Sequence, residues 1–573
     1  MRFLLSPFPL ILLFFPFLNA LATPQQHLPS HDQSKILKRC TTNDPCWPDA
    51  KTWAAFNTSI SGRLIASRPS AAVCHDPSYD KELCSEAKTN WTSSDWRTDQ
   101  AGAYSAILWE VGDEKCFLGP RHEVCEQGLV PPMSVNASCV EDVEAAVRFA
   151  DRYHLYLTVK NTGHDHLGRS SGDGSFAIWT HNMKGRKWHD AFVPFNAPVN
   201  TLGVPAVTLQ AGEQWLDVYR DATVHNRTVV GGSARTVGAA GGYLLGGGHS
   251  PFSYFYGLAV DNLVEMTIVT PKGKHVTINE YSDPGYFWAV RGGGGSAWGV
   301  VTSVTYKTHP LPSHMDVAFL QVNTTSVDIW KEAYAHALRG LPEMTDAGYT
   351  GYGSTEVGSL VQFIFLQPNG TDATLERGKL GFQKLLAMNG SDGTFVAFAG
   401  FALPSWEAYI NLFLTDPNTA TNIQDATRLL TPEVLSEKAN DLVDLALRHP
   451  DVTPGHNFIG KVNPSQRSKT SVHPIWAQSR TIMSYGINWP DNATSAEKKR
   501  RKQELVKVSL ELGDIVGPDS GTYINEANPY EPDWKNVFWG PNYGRLEKIK
   551  RRIDPRGLMA CNRCVGGEIV YEP

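Results

Sequence analysis

The alternation of apolar and polar residues first becomes regular near residue 138. Apolar side chains at helical spacing predict an amphipathic helix whose buried face carries Val140, Val143, Val147 and Ala150. The preceding "SCVE" has the form of a capping box, with Ser138 at the cap and Glu141 three residues later. The run "LYLTV" at 155–159 then predicts a short strand.

Strand and helix patterns continue along the chain. The segments "VTLQAG" and "LVEMTIVTPKGKHVTI" predict strands, the second of them a pair joined by a Pro-Lys-Gly-Lys turn. Between them an amphipathic helix is predicted from the spacing of Trp215, Val218, Tyr219 and Ala222. Beyond residue 312, glycine clusters become fewer, and strands alternate with helical patterns such as "PEVLSEKANDLVDLALRH", so a separate domain is predicted to about residue 510.

The N-terminus predicts export from the cell. Residues 1–22, "MRFLLSPFPLILLFFPFLNALA", combine Arg2, an apolar stretch and a small-residue end, as a cleavable secretory signal does. No later stretch is long and apolar enough to span a bilayer, so we expect a secreted protein with no membrane segment. N-glycans are expected at some of the eight N-x-S/T sequons, at Asn57, Asn90, Asn136, Asn226, Asn323, Asn369, Asn389 and Asn492.

Cysteine usage agrees with an oxidising compartment. Seven of the nine cysteines precede residue 140, where they predict disulfides that hold a Pro- and Trp-rich segment of little periodicity. An odd total leaves at least one thiol free or paired between chains. The pair in "CNRC", Cys561 and Cys564, has the form of a redox motif, but without a thioredoxin-like context a structural role is favoured.

Charge argues against nucleic acid as a partner. The net charge is −6 with no large basic field. One basic run, "KKRRK" at 498–502, could be taken for a nuclear signal, but it precedes the periodic "ELVKVSLELG" and is better explained as the solvated face of a helix.

Three glycine-rich loops within one block of chain indicate a ligand that the backbone approaches closely. They are "VKNTGHDHLGRSSGDG" (159–174), "GGSARTVGAAGGYLLGGG" (231–248) and the "RGGGGSAWG" loop (291–299). Successive backbone N–H groups in such loops suit a pyrophosphate. Neither a G-x-G-x-x-G opening a helix after a strand nor a G-x-x-x-x-G-K-[ST] motif is present, so the expected site is neither of Rossmann nor of P-loop type.

The first of these loops places His164 between Gly163 and Asp165. From the residues alone, His164 could bind a metal, act as a base or carry a group covalently. His164 and His166 would share one face of an extended strand, but zinc normally needs three or four ligands and no H-E-x-x-H or paired CxxC supplies the rest, so no metal is predicted. For His166 alone, a surface or supporting histidine is the expected role.

Four stretches carry a family resemblance: "VKNTGHDHLGRSSGDGSFAIWTHNMKG", "VVGGSARTVGAAGGYLLGGGHSPFSYFYGLAVDNLVEMTIVTPKG", "DPGYFWAVRGGGGSAWGVVTSVTYKTHP" and "YINEANPYEPDWKNVFWGPNYGRLEKIKRRIDPRG". In order and spacing, these stretches resemble FAD-linked oxidoreductases of the vanillyl-alcohol-oxidase superfamily, in particular the secreted fungal, berberine-bridge-enzyme-like branch. The similarity spans about 125–312 and 515–557.

The resemblance implies an α+β fold, with a PCMH-type FAD-binding domain of two α/β subdomains and a substrate domain whose antiparallel sheet is covered by helices. The implied organisation is a Cys-rich segment (23–124) packed on the FAD domain (125–312), a substrate domain (313–510) and a C-terminal segment (511–573) that returns to the FAD domain.

The resemblance also implies the cofactor site. His164 matches the histidine that bonds covalently to the flavin 8α carbon. The surrounding pyrophosphate loop would consist of Asn161, Thr162, Gly163, Asp165 and Gly168, the second flavin loop of Gly238, Gly241, Gly242, Gly246, Gly247 and Gly248, and further contacts of Val269, Asn542 and Tyr543. Many relatives carry a second tether, a cysteine, where this chain has Ala234, so a single covalent bond is expected.

The catalytic base is predicted in the C-terminal segment or the substrate-domain sheet. Oxidation of an alcohol or amine needs a proton acceptor beside the carbon that gives up its hydride. In "GTYINEANP", read as a strand, Tyr523 and Asn525 share one face and Glu526 takes the other. Glu526, with a raised pKa, is one candidate base, a surface carboxylate being the alternative; Tyr523 and Tyr485, the latter on a predicted substrate-domain strand, are the others.

The predicted function is a secreted oxidase that transfers a hydride from an alcohol, a phenolic compound or another secondary metabolite to covalently bound FAD, with dioxygen reoxidising the flavin to give H₂O₂. Three alternatives stay open: a carbohydrate oxidase, a dehydrogenase that uses another acceptor, and a flavin-binding glycoprotein without catalysis.

Overall fold

The computed structural model describes residues 39–113, 115–416, 419–462 and 468–567. The predicted signal segment, 1–22, lies outside the described residues. The strands are β1 (Leu64–Ala66), β2 (Met133–Asn136), β3 (Leu157–Lys160), β4 (Phe176–Trp179), β5 (Arg186–Phe192), β6 (Val204–Gln210), β7 (Arg227–Thr228), β8 (Leu263–Val269), β9 (His275–Asn279), β10 (Val300–Lys307), β11 (His309–Pro310), β12 (Met315–Asn323), β13 (Thr350–Glu356), β14 (Leu360–Pro368), β15 (Phe395–Leu403), β16 (Ile423–Leu430), β17 (Thr453–Phe458) and β18 (Thr481–Asn488).

The helices lie between these strands and at both ends of the chain. They are α1 (Ala50–Ser59), α2 (Lys81–Thr89), α3 (Ser94–Thr98), α4 (Leu108–Val111), α5 (Val140–Tyr153), α6 (Trp215–Val224), α7 (Gly242–Leu245), α8 (Ser253–Tyr256), α9 (Ala259–Asn262), α10 (Pro284–Val290), α11 (Val327–Asp346), α12 (Asp372–Lys379), α13 (Gln383–Leu386), α14 (Trp406–Phe413), α15 (Pro432–Glu437), α16 (Ala439–Arg448), α17 (Ser495–Val516), α18 (Trp534–Trp539) and α19 (Tyr543–Ile553). Among the described helices, none is both long and apolar enough to cross a bilayer.

Two sheets carry the glycine-rich loops. The first has the order β1-β2-β4-β3, with β2, β4 and β3 parallel and β1 antiparallel to β2. The second has the order β5-β6-β10-β8-β9 and is antiparallel throughout. The strand pair predicted from "LVEMTIVTPKGKHVTI" is β8 and β9.

A seven-stranded antiparallel sheet forms the third layer, in the order β15-β12-β14-β13-β17-β18-β16. The long helices α11, α16 and α17 bury apolar side chains against one of its faces, in a core that includes Leu338, Leu442, Leu505 and Tyr485. The opposite face of this sheet does not pack against these three helices. This arrangement confirms the predicted α+β fold with a helix-covered antiparallel sheet.

The first predicted helix is confirmed, but its predicted cap is wrong. Helix α5 begins at Val140, and Asp142, not Glu141, turns back to accept hydrogen bonds from the Ser138 N–H (3.0 Å) and Ser138 hydroxyl (3.2 Å). Asp142 prevails because its side chain is buried and is also paired with Arg63 at 3.2 Å. The "KKRRK" run lies in helix α17, where Arg500 and Arg501 both pair with Asp451.

The cysteine-rich segment packs on the first sheet. Strand β1 extends that sheet beside β2, and the Phe56 ring of α1 stacks on Phe149 of α5 at 4.1 Å between centroids. Disulfides join Cys40 to Cys46, Cys74 to Cys84, Cys116 to Cys125 and Cys561 to Cys564. Cys139 is the free thiol that the odd count requires, and "CNRC" holds a disulfide. The domain boundaries given above stay predictions.

Candidate active site

A cavity of about 700 Å³ is lined by all three glycine-rich loops, by the open face of the seven-stranded sheet and by the C-terminal segment. The end of the chain is fixed against the first loop, since the Asn562 amide donates to the Leu167 carbonyl (2.9 Å) and Arg169 Nε donates to the Asn562 carbonyl (3.0 Å). Segments far apart in the sequence therefore meet at one site.

The glycines of the loops fit a bound cofactor. Gly163 has φ of +86°, which a side chain rarely adopts, and a Cβ there would lie 3.1 Å from the Ala103 carbonyl oxygen. Gly241 and Gly242 differ, because a Cβ at either would have no atom within 4 Å, although both line the cavity. Their missing side chains leave room that the protein itself does not use. The loops therefore have the shape expected for the close approach of FAD.

His164 is held by a hydrogen-bond chain. Its Nε2 lies 2.7 Å from Thr236 Oγ1, which donates to Asp416 Oδ2 at 2.8 Å. Burial lowers the pKa of His164, an effect that Asp416 partly opposes and that His166 reinforces. The ring is therefore neutral near pH 7, as a nucleophile must be. Neither Thr236 nor Asp416 was singled out by the sequence.

Asp165 has a structural role in the first loop. Its Oδ1 accepts from the Leu167 N–H (3.0 Å), and its Oδ2 accepts from the N–H (2.6 Å) and hydroxyl (2.7 Å) of Ser170. The carboxylate thus fixes the turn that presents His164. Among the described residues, no group of three or more His, Cys, Asp or Glu side chains is arranged to hold a metal ion.

His166 lines the cavity, and its expected role as a surface or supporting histidine stays a prediction. Its Nδ1 lies 3.4 Å from Asp425 Oδ2, on strand β16 of the seven-stranded sheet. Burial opposes protonation, but Asp425, Glu526 and Asp165 outweigh it and raise the pKa of His166. Asp425 is distant in sequence, so this contact could not be predicted from the local pattern.

Glu526 lines the cavity and is held from two sides. Its Oε2 accepts from Asn457 Nδ2 at 2.7 Å, and its Oε1 lies 3.2 Å from His249 Nε2. The predicted raised pKa is wrong: burial does raise it, but hydrogen bonding and charge from His249, with His166 and Asn457, outweigh burial and lower the pKa of Glu526. The side chain is therefore an ionised carboxylate that can accept a proton.

The predicted strand around Glu526 is also wrong. Residues Ile524–Glu526 form a short 3₁₀ turn, so Tyr523, Asn525 and Glu526 all line the cavity instead of dividing between two faces. The Tyr523 hydroxyl accepts from Asn525 Nδ2 at 2.8 Å, and burial together with Glu526 raises the pKa of Tyr523. Tyr523 is thus a neutral phenol beside the carboxylate and a poor base.

Tyr485 lies outside the cavity. On strand β18 its side chain points into the core under the helices, where its hydroxyl donates to the Leu442 carbonyl at 2.8 Å. The adjacent Ser484 lines the cavity instead. The prediction chose the wrong face of a strand whose residues alternate between core and cavity.

The predicted cofactor residues divide into two groups. Those that line the cavity are Asn161, Thr162, Gly163, His164, Asp165, Gly238, Gly241 and Gly242. The structure places the others outside the lining: Gly168, Gly246, Gly247, Gly248, Val269, Asn542 and Tyr543. Two of these residues make close contacts with neighbouring segments. Gly246 admits the Asn525 side chain, since a Cβ there would lie 2.1 Å from Asn525 Oδ1, and Asn542 Nδ2 donates to the Val472 carbonyl at 2.9 Å.

Ala234 and an apolar wall complete the site. Ala234, the position that the resemblance assigns to a second tether, lines the cavity. An apolar part of the lining is formed by Tyr352, Ile364, Leu366, Tyr409, Leu412 and Phe413. The hydroxyls of Tyr352 and Tyr409 both contact Ser233 Oγ, at 2.5 Å and 3.2 Å. The site therefore combines a polar end, at Glu526, with an aromatic and aliphatic wall.

Known proteins are similar to this chain in sequence and architecture. The family profile described as FAD binding domain matches residues 131–279, and the one described as berberine and berberine-like matches 522–563. An uncharacterized FAD-linked oxidoreductase of Arthroderma benhamiae is 53% identical, over 97% of this chain and 98% of its own. The FAD-linked oxidoreductase asqF of Emericella nidulans is 32% identical, over 92% of this chain and 93% of its own.

Solved structures agree in fold. The VAO-type flavoprotein MtVAO713 of Myceliophthora thermophila C1 superposes with a TM-score of 0.85 at 26% identity, covering 93% of this chain and 99% of that one. The berberine bridge enzyme of Eschscholzia californica superposes with a TM-score of 0.59 at 17% identity, covering 77% of this chain and 91% of that one, a similarity of fold alone.

Proposed function

This chain belongs to the FAD-linked oxidoreductases, in the berberine-bridge-like branch of the vanillyl-alcohol-oxidase superfamily, and we propose that it is a secreted oxidase with FAD attached to His164. One observation carries the proposal. The cavity is lined both by a neutral histidine on a glycine loop, His164, and by an ionised glutamate near the end of the chain, Glu526.

In this site, Glu526 removes the proton from the substrate hydroxyl or amine. His249 and Asn457 hold its carboxylate in place and keep it ionised, and Tyr523 offers a phenol O–H for a substrate oxygen. FAD held by these loops would supply the hydride acceptor, and dioxygen would take up the two electrons together with two protons to give H₂O₂. His164 and the glycine loops hold the cofactor.

The shape of the wall supports a substrate with an aromatic or apolar body. The lining includes the partly exposed side chains of Tyr352, Ile364 and Phe413, while Glu526 and the two groups that hold it, His249 and Asn457, form a polar end. Such a division suits a phenolic alcohol or another secondary metabolite better than a sugar, which would need polar partners along its whole length.

Export is supported by the predicted signal segment, by the disulfides and by the sequons. Four of the sequon asparagines, at Asn226, Asn369, Asn389 and Asn492, are exposed and so accessible to glycan transfer. Expression in a secreting host followed by glycosidase treatment tests both points: a soluble protein in the medium whose mass falls on treatment is expected, and retention inside the cell would contradict export.

The flavin bond is tested by denaturing the protein in acid and viewing the gel band under ultraviolet light. We expect a fluorescent band for the wild type and none for His164→Ala. A dark wild-type band with FAD in the supernatant would refute the attachment. An oxygen electrode with a panel of alcohols, phenols, amines and sugars tests the oxidase: oxygen uptake supports it, whereas turnover only with an artificial dye indicates a dehydrogenase, and no turnover at all indicates a binding protein.

A further inference from the structure

We propose that Asp416 and Thr236 are positioning residues for the bond between His164 and FAD: together they fix the proton on Nε2 of His164 and leave Nδ1 as the atom that bonds. The inference rests on the attachment proposed above and adds the residues that enable it. Nothing in the chain's sequence pattern marks either residue for this role, because they come from different domains.

The direction of the hydrogen bonds determines where the protons lie. The Asp416 carboxylate only accepts, and it takes the Thr236 hydroxyl proton at 2.8 Å and the Thr236 N–H at 3.2 Å. The Thr236 hydroxyl has one proton, so its oxygen is left to accept at 2.7 Å from His164 Nε2. The imidazole must therefore carry its proton on Nε2. Its Nδ1 makes no hydrogen bond within the part of the chain that the structure describes, and the ring lines the cavity.

The attachment step needs this arrangement. Nδ1 forms a bond to the 8α carbon of FAD, a C–H bond at that carbon breaks, and its proton leaves to solvent. Two electrons pass to the flavin ring system, and dioxygen with two protons removes them as H₂O₂. The bonded imidazole carries a positive charge until it loses the Nε2 proton, and Thr236 and the Asp416 carboxylate stabilise that charge and accept the proton's hydrogen bond.

The contact also joins the two halves of the site. Thr236 lies in the second glycine loop, and Asp416 lies in the loop after helix α14 of the substrate domain. The histidine is therefore set for attachment only when the substrate domain has docked on the FAD loops. A flavin that bound to an incompletely folded chain would stay unattached.

Four purified variants test the inference: Asp416→Asn, Thr236→Val, Thr236→Ser and the matched control Asp514→Asn. Asp514 is an exposed carboxylate on helix α17 and does not line the cavity. Each protein is incubated with excess FAD for a series of times, denatured in acid and separated, and flavin is measured on the band and in the supernatant. Melting temperature and the amount of FAD held before denaturation report on folding.

We expect attachment to slow by about 100-fold in Asp416→Asn and Thr236→Val, the lower range for a positioned proton acceptor, with FAD recovered in the supernatant. Thr236→Ser keeps the hydroxyl and should attach FAD at close to the wild-type rate, as should Asp514→Asn. If Asp416→Asn does not fold, the pair Thr236→Val and Thr236→Ser decides.

The outcomes separate the two proposals. A dark wild-type band refutes the attachment itself. A fluorescent wild-type band that is lost in His164→Ala but formed at the wild-type rate in Asp416→Asn and Thr236→Val leaves the attachment standing and overturns the role of Asp416 and Thr236. Equal loss in Thr236→Val and Thr236→Ser also overturns it, because the hydroxyl would then not matter.

Discussion

Replacing Glu526 with glutamine removes the proposed base while keeping the size of the side chain. Glutamine can still accept one hydrogen bond, from Asn457 Nδ2 (2.7 Å in the native site) or from His249 Nε2 (3.2 Å), but it cannot hold both donors as a carboxylate does or take a proton. A general base contributes about 10²- to 10⁴-fold to rate, so the barrier should rise by about 2.7–5.5 kcal/mol. Losing one hydrogen bond to a charged group should lower the free energy of unfolding by about 1.5–3 kcal/mol.

The assay is anaerobic mixing of enzyme and reducing substrate, with flavin bleaching followed over time. Glu356→Gln, which removes an exposed carboxylate on strand β13, is the matched control. Since the pKa of Glu526 is lowered from 4.5, the wild-type rate should stay level with falling pH until the pH is below 4.5. The stabilising contacts of the carboxylate are lost over the same acidic range. Flavin reduction in Glu526→Gln within about tenfold of wild type, with the bound flavin intact, would refute the assignment.

Three further predictions concern charged groups. Asp425→Asn should lower the pKa of His166, so that its imidazolium is lost at a lower pH than in the wild type; the His166 ring signals in an NMR titration measure this, and an unchanged midpoint would contradict it. Lys160 is buried against two backbone carbonyls, and burial lowers its pKa to about 7. Between pH 7 and 10.5 the unfolded chain therefore binds more protons than the folded one, so the stability of the wild type should rise relative to Lys160→Met as the pH increases. Melting temperatures of the two proteins that run parallel over this pH range would contradict the prediction. In the wild type the fully buried Glu110 carboxylate lies 2.5 Å from the Arg97 guanidinium. Arg97→Met leaves this carboxylate without its ion pair and should lower the free energy of unfolding, measured by urea denaturation, by about 3–5 kcal/mol. A loss below about 1 kcal/mol would show that the hydrogen bonds from Ser70 are enough to stabilise the buried carboxylate.

Local patterns and the family resemblance predicted much of the fold. Helix α6 follows from the spacing of Trp215, Val218, Tyr219 and Ala222, and the hairpin of β8 and β9 follows from its turn residues. Both depend on neighbours in sequence, which periodicity reports directly. The cap of α5 was missed because two acidic residues stand side by side there, and the choice between them depends on Arg63, which is distant in sequence.

The candidate site was predicted from one side only. The loop with His164 has a sequence signature, whereas Asp416 and Asp425, which contact Thr236 and His166, come from segments distant in sequence. His249 could have been found, because it directly follows the second glycine loop. Glu526 itself is predicted from the sequence. The direction of its pKa shift is not, because it depends on His249 and His166, which only tertiary folding brings close.

Alternate residues on strands of the seven-stranded sheet face either the cavity or the helix-covered core. Of neighbouring residues on β18, Ser484 faces the cavity while Tyr485 faces the helices, and on β14 Ile364 faces the cavity while Phe363 and Phe365 belong to the core. Mutations at one set of positions can alter which molecule is accepted without weakening the fold, and those at the other set are constrained by packing. A lineage can thus acquire new substrates by drift along alternate residues of a few strands while the flavin loops stay unchanged.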